Sequence, residues 1–204
     1  MSLYSRLIFP RLCDFSLDQP FVAKHRSELL SNASGEVLEI GIGTGLNLPC
    51  YPKEVRRITA VDPNPGMHCR AQMRAQEAGI EVDKRLLKTE ELPFDDDRFD
   101  CVVSTFTLCS IENVSSALGE IFRVLKPDGR FLTLEHGLSP EPSVQKWQRR
   151  LNWLQQRLAD NCHLDRNLRQ LLEQQPFGSA ELDEFYLEKT PKTHGYLYRG
   201  VGTK

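Results

Sequence analysis

The 204-residue chain has no apolar run long enough to cross a bilayer. Its most apolar stretch, residues 101–109, is interrupted by serine and threonine and falls far short of the roughly 20 residues a spanning helix needs. Charge of one sign is not in excess either. Lys+Arg 26 against Asp+Glu 28 give a net charge of −2, so the footprint of a duplex nucleic-acid binder is missing and a small-molecule partner is expected. Six cysteines, Cys13, Cys50, Cys69, Cys101, Cys109 and Cys162, are scattered with no C-x-x-C pair. That scatter fits neither a dense disulfide framework nor closely spaced zinc ligands, so reduced thiols and no metal are expected. The opening Met-Ser-Leu-Tyr-Ser-Arg lacks the apolar core and cleavage site of a secretory leader, which makes the cytoplasm the expected compartment. What is present is globular: 40% hydrophobic and 26% charged residues in a length that suits one domain.

Two patterns divide the chain. Over residues 1–33, Leu3, Leu7, Ile8, Leu12 and Phe15 approximate one helical face interrupted by Pro10, and Phe21, Val22, His25, Leu29 and Leu30 make a second stripe, which predicts a helical cap. From Gly35, short apolar runs alternate with helix-period segments, the pattern of an α/β domain with a parallel sheet built from βαβ units. Seven strands are expected at 36–40, 57–61, 82–87, 100–105, 130–134, 182–188 and 195–201. Helices are expected near 65–78, 115–125 and 144–159, the second stopped by Pro127-Asp128-Gly129. The third places Val144, Trp147, Leu151, Leu154 and Leu158 on one packed stripe; its basic residues read as a solvated face in preference to a membrane contact. Only six residues separate the last two strands, too few for a parallel crossover, so they form a hairpin.

Chemistry concentrates where the first strand runs into Gly41-Ile42-Gly43-Thr44-Gly45. Alternating glycines let a ligand approach the backbone, and a following helix N-terminus would offer free N–H groups to an anion. About twenty residues on, the second strand ends in Asp62-Pro63-Asn64, placing a carboxylate where a ribose diol can donate two hydrogen bonds. The nicotinamide and flavin fingerprint wants a small residue where Leu46 stands, which disfavours a nicotinamide-dependent oxidoreductase.

Glu39-Ile40-Gly41-Ile42-Gly43-Thr44-Gly45 with Asp62 resembles the first motif and ribose acid of the class I S-adenosylmethionine-dependent methyltransferases. Glu91-Leu92-Pro93-Phe94, Phe99-Asp100-Cys101-Val102-Val103 and Arg123-Val124-Leu125-Lys126-Pro127-Asp128-Gly129 resemble the ubiquinone-biosynthesis-like (type 11) branch. Leu108-Cys109-Ser110-Ile111, Leu134-Glu135-His136-Gly137, Asp160-Asn161-Cys162-His163-Leu164 and His194-Gly195-Tyr196 are more loosely similar to the animal thiol methyltransferase-like proteins.

The resemblance implies a Rossmann-like fold, a seven-stranded, mostly parallel sheet with an antiparallel last strand, flanked by helices. It implies a single methyltransferase domain over 1–204, with the cap at 1–33, the cofactor core at 35–135, and acceptor-side helices and hairpin at 136–204. S-adenosylmethionine would be the cofactor and S-adenosylhomocysteine its product. Gly41, Gly43 and Gly45 would line the methionine moiety, Glu39 would hold its amino end, and Asp62 would take the ribose. Pro63, Asn64 and Met67 would border adenine, with Thr89 and Glu90 at its amino edge; Lys88 stands where the branch usually has an aspartate.

In-line methyl transfer needs no metal. It needs an acceptor lone pair aligned in a dry pocket, and a base when the acceptor carries a proton. His136 is the candidate base, with Glu135 as its orienter and Thr105, Thr107 and Cys109 lining the pocket; the bland reading of His136 is a residue that only shapes the pocket floor. The acceptor remains open between thiol, phenol, amine and lipid headgroup. A non-catalytic S-adenosylmethionine-binding protein is the alternative.

Overall fold

The computed structural model describes residues 3–204. Three helices, α1 (Leu3–Leu7), α2 (Phe9–Leu17) and α3 (Pro20–Leu30), precede the sheet. The sheet and its connections follow as β1 (Val37–Ile40), β2 (Arg57–Val61), α4 (His68–Ala78), β3 (Glu81–Arg85), β4 (Phe99–Thr105), α5 (Val114–Val124), β5 (Leu125–His136), α6 (Pro142–Leu158), α7 (Leu168–Glu173), β6 (Ser179–Tyr186), α8 (Lys192–Gly195) and β7 (Tyr196–Thr203). The order across the sheet is β3-β2-β1-β4-β5-β7-β6. The first five strands pair in parallel, and β7 pairs antiparallel with both β5 and β6. The expected hairpin is therefore present, with a helical turn in its connection.

β1 is buried at all four positions because both faces of the sheet are covered. Alternation along the strands sends Val37, Cys101, Val103, Leu132 and Leu134 to the face packed by Val22, Leu29 and Leu30 of α3 and by Ala71 and Ala75 of α4. Leu38, Ile40, Val102 and Phe131 face Ala117, Leu118, Ile121 and Val124 of α5 and Leu168 and Leu172 of α7.

Three local expectations differ from the structure. No α-helix follows the glycine loop directly; Pro49 and Pro52 limit that segment to one 3-10 turn, Leu48–Cys50. The strand after α5 begins earlier than expected, at Leu125 instead of Arg130, with the Lys-Pro-Asp-Gly segment looped out of its pairing. Leu125 pairs with Phe99, Arg130 with Cys101, and Asp128 takes φ +64° between them. The apolar stripe of α6 is not packed: Val144 is buried, but Trp147, Leu154 and Leu158 are exposed, as are Leu3, Leu7, Leu12 and Phe15 of the cap. Among the described residues no helix is long and apolar enough to cross a membrane.

The cap is fastened over the carboxyl edge of the sheet by polar contacts. Asp14 Oδ1 accepts from Thr44 Oγ1 at 2.6 Å and Arg74 at 3.0 Å, and Oδ2 accepts from Arg70 at 2.5 Å. The Ser5 carbonyl accepts from Asn64 Nδ2 at 2.8 Å, and Gly66 lies so close to the Arg6 backbone that a Cβ there would overlap it. Asp14→Ala should loosen the cap without melting the sheet, costing roughly 1–2 kcal/mol. Hydrogen exchange should speed up across residues 9–17; unchanged protection there would show that the Asp14 network does not hold the cap.

Candidate active site

The carboxyl ends of β1, β2 and β4 open into a cleft of about 290 Å³ roofed by the cap. At its centre lies Asp62, the residue that follows β2. Its Oδ2 accepts from Gly43 N at 2.8 Å and its Oδ1 from Asn64 N at 2.7 Å, so the carboxylate bridges the glycine loop and the turn after β2. Burial pushes its pKa up, opposed by those two N–H donors and the Lys84 charge. Gly41 needs its freedom: φ is +69°, and a Cβ would overlap the Thr107 side chain.

A second polar cluster borders the same cleft. Arg26 of α3 is 4% exposed, and its NH1 donates to Asn47 Oδ1 at 2.8 Å and Thr105 Oγ1 at 2.9 Å. Its guanidinium sits 5.1 Å from the centre of the Phe106 ring, which the left-handed φ of +52° at Phe106 helps to place. Asn47 Nδ2 in turn donates to Glu39 Oε1 at 2.9 Å, and Tyr51 OH to Glu39 Oε2 at 2.9 Å. Burial raises Glu39 to about 7 against these donors. Arg26 lines the cleft, so its guanidinium offers positive charge to an anionic ligand group, while its Nε is enclosed with no hydrogen-bond partner.

Of the residues singled out from sequence, Gly41, Gly43, Asp62, Pro63, Asn64, Met67, Thr89, Glu90 and Thr105 line this cleft together, as do Lys88 and Thr107. Two do not. Glu39 lies beneath the wall and accepts a hydrogen bond from Asn47, which does line the cleft. Gly45 packs inward, where a Cβ would come within 2.8 Å of Leu48 and 3.1 Å of Ala71. Arg26, Asn47 and the cap residues Cys13 and Leu17 are lining residues that no motif announced; a lone arginine in a helical stripe carries no spacing signal.

His136 and Cys109 are also displaced from their expected places. Neither lines the cleft, although Ser110 does. Glu135 does not orient His136: its Oε1 accepts from Ser104 Oγ and the Thr107 and Leu108 N–H groups at 2.9–3.0 Å, on the opposite face of β5. His136 Nε2 instead lies 2.8 Å from Cys162 Sγ, which is 3.5 Å from Cys109 Sγ. The hydrogen-bond contact with Cys109 and the adjacent imidazole pull the Cys162 thiol well below its ordinary range. His136 thus lies outside this cleft, against Cys162.

Because burial raises the Glu39 pKa above its unfolded value, the native state binds the extra proton, and this residue's contribution favours folding increasingly as pH falls through about 7. Glu39→Gln mimics the protonated acid and should flatten that dependence. Its melting temperature should gain on wild type at about pH 8 and lose the gain near pH 5. Parallel pH profiles for the two proteins would contradict the assignment.

The family model described as "Methyltransferase domain" matches residues 38–133. Human thiol S-methyltransferase TMT1A is 33% identical over 196 residues, covering 87% of this chain and 80% of that protein. Rat thiol S-methyltransferase TMT1B is 33% identical over 160 residues, and the aligned region spans 65% of its length. Among solved structures, the YcgJ protein of Bacillus subtilis superposes with a TM-score of 0.65 at 21% identity over 89% of this chain and 98% of that one. An S-adenosylmethionine-dependent methyltransferase of Thermotoga maritima gives 0.68 at 19% identity over 98% of each chain. With its glycine loop, its acid at the end of β2 and its antiparallel β7 all in place, the chain belongs to the class I S-adenosylmethionine-dependent methyltransferases.

Proposed function

We propose that the chain transfers the methyl group of S-adenosylmethionine to a small apolar thiol. The donor, when bound, supplies an electrophilic sulfonium methyl; the chain's residues bind, orient and keep water away. Arg26, backed by Asn47 and Thr105, holds the carboxylate of the amino-acid tail. Asp62 takes the ribose hydroxyls, and Pro63 and Met67 offer an apolar border to adenine. Phe9 and Leu17 of the cap close the cleft from above.

The observation that carries the acceptor class is the chemistry of the remaining wall. Phe9, Phe106 and Ile111 give it an apolar patch beside the polar Thr107, Ser110, Glu112, Asp160 and Asn161, and among the described lining residues there is no histidine. A thiol with an ordinary pKa of about 8.5 is partly thiolate at neutral pH and needs no strong base, whereas an alcohol does. The thiol S-methyltransferases among the relatives support the same acceptor. A relative from Cereibacter sphaeroides, a phosphatidylethanolamine N-methyltransferase 29% identical over 160 residues, makes a lipid amine the competing acceptor to test.

Two experiments separate donor from acceptor. Arg26→Ala should weaken S-adenosylhomocysteine roughly ten- to a hundredfold in calorimetry while leaving 5′-methylthioadenosine, which lacks the amino-acid tail, nearly unchanged. Asp62→Ala should weaken both; equal loss of both ligands in the Arg26 variant would overturn the carboxylate assignment. With tritiated donor, label should move to apolar thiols with a rate that rises with pH through the acceptor thiol's own pKa. Transfer confined to phospholipid amines would overturn the thiol reading.

A further inference from the structure

The expectation of a metal-free chain rests on sequence spacing, which cannot register ligands brought together from distant segments. Cys109 lies four residues past β4, His136 closes β5, and Cys162 lies four residues past α6. One ligand atom from each falls within 4.8 Å of the others. Cys162 Sγ is 3.5 Å from Cys109 Sγ and 2.8 Å from His136 Nε2. Tetrahedral zinc, with Zn–S about 2.3 Å and Zn–N about 2.0–2.1 Å, sets its ligand atoms roughly 3.5–3.8 Å apart. The two pairs that share Cys162 reach those separations by outward shifts of well under 1 Å.

We propose that Cys109, His136 and Cys162 bind a zinc ion. The donor set argues for that metal: two soft thiolates and an imidazole suit zinc and are poor ligands for magnesium or calcium. So does the setting. Cys109 and Cys162 are 2% and 6% exposed, and two thiolates with a divalent cation bury no net charge. The surrounding donors fit metal-bound thiolates, with Gln155 Nε2 3.4 Å from Cys162 Sγ and Ser110 Oγ 3.7 Å from Cys109 Sγ. The loops that carry the ligands are already docked on each other, since His163 N donates to the Cys109 carbonyl at 2.9 Å and Arg166 donates to the Leu108 carbonyl. Among the described residues three protein ligands converge, which leaves the fourth tetrahedral position to a water molecule.

The ion's place in the fold gives it a task. Ser110, next to Cys109, and Asn161, next to Cys162, both line the cleft, whereas none of the three ligands does. Zinc therefore clips two walls of the cleft together from behind. Asp160 and Asn161, with φ of +48° and +68°, are the turn that carries Cys162 into reach.

The test uses the whole chain, purified without added chelator. Elemental analysis should find one zinc per chain, a strong chelator under reducing conditions should remove it, and the stripped protein should melt at a lower temperature. Cobalt(II) added to the stripped chain should produce the thiolate-to-cobalt charge-transfer band and the intense visible bands of a tetrahedral site. Cys109→Ser and Cys162→Ser should each lose the stoichiometric metal, while Cys69→Ser, at an exposed cysteine, should keep it. Because the cobalt titration is done on the natural sequence, it stands even if a variant fails to fold. A reduced chain that binds neither zinc nor cobalt would overturn the proposal. So would a metal-free chain isolated two hydrogens lighter with Cys109 and Cys162 linked, which would make the pair a redox couple instead.

Discussion

A buried guanidinium organises the ligand end of this molecule. Taking Arg26 out of water on α3 is costly unless its charge is accommodated, and the chain meets NH1 with Asn47 and Thr105 and sets the guanidinium against the Phe106 ring. Asn47 can serve because Glu39, at the third position of β1, fixes its amide, and Glu39 stays buried because Tyr51 and Asn47 both donate to it. One chain of hydrogen bonds thus ties the cap to the turn after the glycine loop, to β1 and to β4. The cleft wall is rigid on that side because each member is held by the next.

The opposite side of the cleft follows from a different economy. Asp62 is held by two backbone N–H groups, so the geometry of the glycine loop and of the turn after β2 sets the direction of its carboxylate. The cap then closes over both halves through Asp14 and Asn64, polar contacts at the edge of an otherwise apolar roof. Polar fastening of an apolar roof suits a site that must admit a ligand and exclude water, since such contacts open at lower cost than a packed core.

The parts of the fold legible in sequence are those governed by short-range patterns. Seven strands, the closing hairpin and the helix over residues 68–78 follow from period and turn residues, and the cofactor half of the cleft follows from the glycine loop and Asp62. What escaped was set by tertiary placement. Glu39 sits in a recognisable motif, yet strand alternation turns it under the wall toward Tyr51. His136 follows Glu135 directly, and for that same reason the two side chains point to opposite faces and cannot work as a pair. Arg26 and the Cys109, His136 and Cys162 cluster carry no local signal at all, because their partners lie 21 to 79 residues away.

The central claim is that one cleft grips the donor at both ends, with Arg26 on the amino-acid tail and Asp62 on the sugar. A crystal structure of the chain with S-adenosylhomocysteine tests it most directly. The account predicts the ligand carboxylate on Arg26, the ribose hydroxyls on Asp62 and the sulfur facing the apolar wall at Phe106. A ligand bound with its tail away from Arg26, or seated outside this cleft, would contradict it.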